Sequence, residues 1–159
     1  MCQRHQPLTQ TCWEQLDGKV TGELQAAFYA VQALAPEMAA RGGGCIIAIS
    51  SNVAQHPVPG MGDYSIGKSA VEALMRALAL ELGPAGIRVN TVAAGLTMSG
   101  GGAHTPDQLK QIVAATTPLR RYAQPEDIAA AVLMLAQDEA AFATGNVLTV
   151  DDGLRIGLL

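Results

Sequence analysis

Charge is scarce in this chain. Of its 159 residues 15% are charged and 49% are hydrophobic, with a mean hydropathy of +0.21. That balance is more apolar than a typical domain and points to a globular unit with extra surface to bury, against further chain or a partner subunit. The basic excess that phosphate binding needs is also missing. A net charge of −4 and a pI near 5.2 argue against nucleic acid as the main ligand. No apolar run reaches about 18 residues, so no membrane span is indicated. The first residues, Met1-Cys2-Gln3-Arg4-His5-Gln6-Pro7, lack the charged-then-apolar pattern of a secretory signal. Cysteine is sparse too. Cys2, Cys12 and Cys45 make no even disulfide set, and a reducing cytoplasm is the simplest compartment. Cys2, His5 and Cys12 match no standard metal spacing, so no metal is expected.

A phosphate-binding turn is absent as well. Such a turn is glycine-rich, follows a strand and opens a helix. Gly42-Gly43-Gly44 precedes an apolar strand and reads as the turn ending a helix. Gly100-Gly101-Gly102 lies in an expected mobile loop. Neither is a cradle.

What is present is an alternation of helical and strand patterns in one unit, without internal repeats. Residues 1–12 read as an unstructured lead and 13–159 as the folded part. A helix is expected over 13–41, with Leu24, Ala27, Phe28, Val31, Leu34 and Ala35 on one side. Gly18 and Gly22 weaken its start, and Pro36 removes a backbone donor and favours a kink. A buried strand follows at 45–50, then a loop from Asn52 to Gly62 with Pro57 and Pro59. The next helix runs from Asp63, a candidate cap, to about Leu82 and stops at Gly83-Pro84. It carries an apolar stripe of Val71, Leu74, Met75, Leu78 and Leu82 and a small face of Ala70, Ala73 and Ala77. A strand at 87–92 leads to a lid-like stretch at 94–117, with a short helix from Pro106 to about Ala115. The last helix spans Pro125 to Gln137, with Ile128, Val132, Leu133 and Leu135 inward, and the last strand is 146–150. Strands joined by helices imply parallel pairing, hence an α/β fold with a three-stranded sheet and an exposed edge.

The chemistry gathers around Ser51, Tyr64 and Lys68. Tyr64 and Lys68 are four residues apart at a helix start, which places them on one face a turn apart. An ammonium beside a phenol favours the phenolate. A hydroxyl from the adjoining strand, Ser51, can hold a carbonyl oxygen against that phenol. Together the three could protonate a ketone or deprotonate an alcohol. Tyr-x-x-x-Lys alone is weak, because any helix can carry it.

Its surroundings make it specific. The thirteen-residue step from Ser51 to Tyr64, then Gly86-Ile87-Arg88-Val89-Asn90-Thr91-Val92, Pro118-Leu119 with Arg121, Pro125-Glu126-Asp127-Ile128-Ala129 and Thr144-Gly145-Asn146-Val147-Leu148-Thr149-Val150-Asp151 follow one another as in the short-chain dehydrogenase/reductase family. The resemblance covers roughly 20–153. It corresponds to the C-terminal portion of a family member, without the N-terminal dinucleotide-binding half, and implies part of a doubly wound, Rossmann-like parallel sheet. It further implies a nicotinamide-dependent oxidoreductase interconverting a carbonyl and a secondary alcohol, with NAD or NADP as cofactor. Ser51, Tyr64 and Lys68 would be catalytic. Tyr64, Lys68, Gly95, Thr97 and Ser99 would face the nicotinamide end. Family members commonly pair two helices with their copies across a two-fold axis. Here these are 13–41 and 63–82, so a homo-oligomer is implied. The alternative is a truncated, non-catalytic fragment or interaction module.

The chain departs from the family pattern in three places. Glu23 stands where the family has an asparagine that holds a relay water, either relaying a proton or simply pairing with Lys68. Ala94-Gly95 replaces Pro-Gly. Asp151-Asp152-Gly153 replaces Asp-Gly-Gly, which strains a turn or alters an interface. His56 lies in the loop on the substrate side and reads as solvated.

Overall fold

The structure, a computed structural model, describes residues 6–99, 105–154 and 156. Its elements in chain order are α1 (Trp13–Ala40), β1 (Gly44–Ser51), α2 (Gly62–Leu82), β2 (Ile87–Ala94), α3 (Asp107–Thr116), α4 (Pro125–Ala136) and β3 (Val147–Val150). The three strands form one parallel sheet in the order β1-β2-β3. β1 pairs with β2 from Gly44 opposite Ile87 to Ser51 opposite Ala94. The outer side of β1 is an open edge, and Ile49 on it is 46% exposed.

α1 is one helix through Gly18, Gly22 and Pro36, and it continues to Ala40. Tertiary packing overrides these weak residues: Val31 and Ala35 bury against Val71, Met75 and Ala79 of α2 and against Ile87 and Val89 of β2. The glycine cluster ends the helix as expected. Gly42 and Gly43 take φ of +91° and +133°, and their N–H groups donate to Ala39 and Met38 carbonyls at 3.0 Å. A Cβ at Gly43 would collide with the Gly86 carbonyl oxygen.

β2 is the most buried strand, and its two faces have different neighbours. Ile87 and Val89 point into the α1–α2 core. Arg88 and Asn90 point the other way. The Arg88 guanidinium donates to the Leu135 carbonyl at 2.7 Å, at the end of α4. Asn90 donates to the Ala143 carbonyl at 2.8 Å and accepts from the Asn146 N–H at 3.1 Å. Thr144 Oγ1 accepts from the Val89 N–H at 3.0 Å. The Arg-Val-Asn and Thr-Gly-Asn blocks thus lock β2 to the turn that leads into β3.

Arg121 and Asp127 fix the entry to α4. The guanidinium grips the carboxylate at 2.6 and 2.7 Å, and Asp127 also accepts from the Gln124 N–H at 2.8 Å. These bonds hold the Asp127 carboxyl down from 3.8 to about 2.

Several expectations are corrected. Residues 6–12 are not a free lead: the Gln6 N–H donates to the Gly60 carbonyl at 3.1 Å, and Leu8–Gln10 forms a 3-10 turn. The cap of α2 is Met61, not Asp63; Asp63 lies in the first turn and accepts from the Tyr64 N–H at 2.8 Å. Leu133 is 60% exposed and not inward, whereas Leu135 is buried. Two residues along a helix turn the side chain through about 200°, so both could not face the sheet. Phe28 and Leu34 of α1 are also exposed. Residues 1–5 and the 100–104 loop, with Gly100, Gly101 and Gly102, lie outside the described residues, and so do Cys2, His5 and His104.

Candidate active site

Ser51, Tyr64 and Lys68 sit where the end of β1 meets the start of α2. A set of serine contacts fastens this junction. Ser65 Oγ donates to the Val53 carbonyl at 2.6 Å, and Ser69 Oγ donates to the Ala54 carbonyl at 2.8 Å. Ser50, buried beside Ser51, donates to Glu72 Oε1 at 2.9 Å. Ser51 turns its Oγ toward the loop and accepts from the Val53 N–H at 3.4 Å. The Ser50–Glu72 contact joins two elements across a long separation, so no local pattern announces it.

Lys68 reaches back to the strand. Its Nζ donates to the Ile49 carbonyl at 3.1 Å, two residues before Ser51. The same ammonium lies 3.0 Å from Glu23 Oε2 and 5.7 Å from the centre of the Tyr64 ring. Lys19, which the sequence reading did not single out, joins the cluster. Its Nζ is 3.7 Å from Glu23 Oε1 and 4.9 Å from the Tyr64 ring centre. Its spacing from Glu23 was visible as an i,i+4 ion pair, but which face of α1 meets Tyr64 depends on helix packing. α1 crosses α2 beside Gly67, where a Cβ would be in ordinary van der Waals contact with Glu23 Cγ at 3.4 Å and the Lys19 carbonyl oxygen at 3.6 Å.

Gly95, Thr97 and Ser99 follow the end of β2, beside Ser51 in the sheet register. The Gly95 N–H donates to the Val150 carbonyl at 2.9 Å, and a Cβ there would sit 2.6 Å from Asp151 Cα. Glycine is thus required here by the crossing of β2 and β3, whatever else approaches it. Thr97 Oγ1 donates to the Gly95 carbonyl at 3.0 Å and Thr97 bridges to Ala123. Ser99 is exposed. None of the three is hydrogen-bonded to Ser51, Tyr64 or Lys68. The parallel register, not direct contact, brings them to the same sheet end. His56 is an exposed loop residue.

The donor chemistry fits the ribose end of a nicotinamide nucleotide. An ammonium has three N–H donors, and two are matched here by Ile49 and Glu23. A ribose hydroxyl beside Tyr64 would take the third. Among the described residues no strand is followed by a glycine-rich turn opening a helix, so the pyrophosphate end finds no cradle in them.

The family profile described as Enoyl-(Acyl carrier protein) reductase matches residues 1–155. A 3alpha-hydroxysteroid dehydrogenase of Mediterraneibacter gnavus is 43% identical over 130 residues, 82% of this chain and 52% of that protein. A 3-oxoacyl-[acyl-carrier-protein] reductase of Thermotoga maritima is 32% identical over 143 residues, 90% of this chain and 58% of that protein. A solved 7 alpha-hydroxysteroid dehydrogenase, complexed with NADH and 7-oxo glycochenodeoxycholic acid, superposes with a TM-score of 0.88 at 31% identity, covering 96% of this chain and 60% of that one. The chain spans about half the length of the curated relatives it matches.

Proposed function

Because this chain belongs to the short-chain dehydrogenase/reductase family, we propose that it carries the proton-handling part of an oxidoreductase acting on a carbonyl or secondary alcohol. The observation behind this is the Lys68 ammonium, anchored to the strand that ends in Ser51 and 5.7 Å from the Tyr64 ring centre. NAD or NADP supplies or accepts the hydride when bound. The rest belongs to the chain. Ser51 Oγ swings from the Val53 N–H to donate to the carbonyl oxygen. Tyr64 gives its phenolic proton to that oxygen in reduction and takes it back in oxidation. Lys68 supports the phenolate that results and offers its third N–H to the ribose. Thr97 and Ser99, which follow β2 at the same sheet end, would bond the carboxamide.

The relatives' names point to the substrate class: ring ketones of steroids or 3-oxoacyl groups. The compartment proposed is the cytoplasm. Among the described residues no helix is long and apolar enough to cross a membrane. The assembly proposed is a homo-oligomer through α1 and α2, whose outer sides leave Phe28, Leu34 and Leu80 exposed. Light scattering at several concentrations checks it, and a monodisperse monomer at tens of micromolar would rule it out.

The deciding experiment supplies a dinucleotide-binding segment from a relative and follows NAD(P)H oxidation with oxo-steroid and 3-oxoacyl thioester substrates. Tyr64→Phe should then remove nearly all turnover, Ser51→Ala should lower it at similar cofactor affinity, and Lys68→Ala should weaken both. Near-parental rates for Tyr64→Phe would overturn the reading. A second reading, a non-catalytic interaction module, is favoured by the lack of a phosphate cradle among the described residues. The 159-residue chain alone should bind either dinucleotide weakly or not at all, and calorimetry showing micromolar binding would exclude that module.

A further inference from the structure

Two of the three lysines in the chain converge on one carboxylate beside Tyr64. Glu23 reaches Lys68 with one oxygen at 3.0 Å and Lys19 with the other at 3.7 Å. The cluster is only partly open to water, with side-chain exposures of 14% for Lys68, 23% for Glu23 and 25% for Lys19. Both ammonium groups lie within 6 Å of the Tyr64 ring centre, at 4.9 and 5.7 Å, close enough for a cation to act on the ring. A lysine stem has four rotatable bonds and, unheld, samples many positions. Lys68 is held at two points on different elements, the Ile49 carbonyl on β1 and the Glu23 carboxylate on α1. Two fixed acceptors determine where the third N–H points. The charges also balance: one carboxylate between two ammonium groups leaves a net +1 facing the phenol, the same as a lone lysine would give.

We propose that Glu23 is a positioning residue that clamps the Lys68 ammonium beside Tyr64, with Lys19 restoring the positive charge that the carboxylate cancels. This rests on the oxidoreductase reading of the site. Its test needs no turnover, so the two stand or fall separately.

The test is limited acylation of the intact chain with an amine-reactive ester, followed by peptide mass spectrometry of Lys19, Lys68 and Lys110. Lys110 is on α3, paired with Asp107 at 3.1 Å, and serves as the internal reference. In Glu23→Ala, Lys68 should be labelled about fivefold faster than in the parent, with Lys110 unchanged, as expected for loss of one partly screened ion pair. Glu23→Gln keeps an acceptor without the charge, and should give a smaller rise, about twofold. In Lys19→Met, Lys68 should stay as slow as in the parent, because its own clamp is intact. A glutamate that merely fastened α1 to α2 would speed all three lysines together, along with a fall in Tm. That pattern in Glu23→Gln overturns the proposal, as does an unchanged Lys68 rate in either folded Glu23 variant. A Lys68 rate in Lys19→Met as fast as in Glu23→Ala also overturns it.

Discussion

The two sides of β2 solve the problem of buried polarity in opposite ways. Toward β3, Asn90 is fully buried and is bonded to backbone groups of one turn, the Ala143 carbonyl and the Asn146 N–H. Toward β1, the polar groups are charged side chains, Lys19, Glu23 and Lys68, still in partial contact with water. Backbone partners are fixed by the fold, so the first arrangement is rigid and closed. Lys68 is held by one backbone carbonyl and one side chain, Ile49 and Glu23, so the second arrangement stays partly open to water. Sequence blocks of equal prominence therefore have unequal work. Arg88, Asn90, Thr144 and Asn146 bond β2 to the turn before β3, whereas Lys68 joins α2 to the Ile49 carbonyl of β1 and to Glu23 of α1.

Substitutions on the two sides should separate in size. The largest loss is expected for Asn90→Ala, which removes a fully buried amide and its bonds to the Asn146 N–H and the Ala143 carbonyl. At about 1 kcal/mol for each of the two lost bonds, plus the cavity left by a fully buried side chain, the cost should be about 2–4 kcal/mol in urea unfolding. A cost under about 0.5 kcal/mol would mean that water replaces the amide.

Asp127→Asn should come next and should depend on pH. The folded carboxyl titrates near 2 and the unfolded one near 3.8, so the folded state binds its proton less readily. The contribution is complete above the ordinary carboxylate range and is lost as pH falls through about 2. Thermal melts of parent and variant should differ at pH 6 and converge between pH 4 and pH 2. A gap independent of pH would assign the effect to the helix cap alone.

A smaller loss, about 1 kcal/mol, is expected for Ser65→Ala, which removes the 2.6 Å bond to the Val53 carbonyl under the Ser51 loop. Smallest of all should be Tyr64→Phe, within about 0.5 kcal/mol of the parent in the same assay. If Tyr64→Phe cost as much as Asn90→Ala, the division between the two sides would fail.

The sequence made the layering of the fold legible because each strand is short, apolar and bounded by turn residues, and each connection is helical. β2 proved longer than the 87–92 expected, ending at Ala94, because the sheet register continues until Ser51 runs out of partners. Periodicity misjudged Leu133 because α4 is apolar nearly all round, so its pattern names no inner face. The shared helix face of Tyr64 and Lys68 was legible through their four-residue spacing, and Ser51 through its place at the end of an apolar strand. Lys19 was not, because its approach to Tyr64 depends on the crossing of α1 over α2 at Gly67. Gly95 was legible as a glycine, but its close approach to Asp151 needed three dimensions.

Asp152 has a consequence for how this chain can change over generations. Its φ of +57° lies in the left-handed region, and its carboxylate accepts from the Leu119 N–H at 2.6 Å. A glycine would relieve about 1 kcal/mol of backbone strain and forfeit a charge-assisted bond worth about 1.5–3 kcal/mol. The bond outweighs the strain by about 0.5–2 kcal/mol, so exchange of aspartate for glycine is a narrow path at this position. Valine and isoleucine, which tolerate that φ far less, close it.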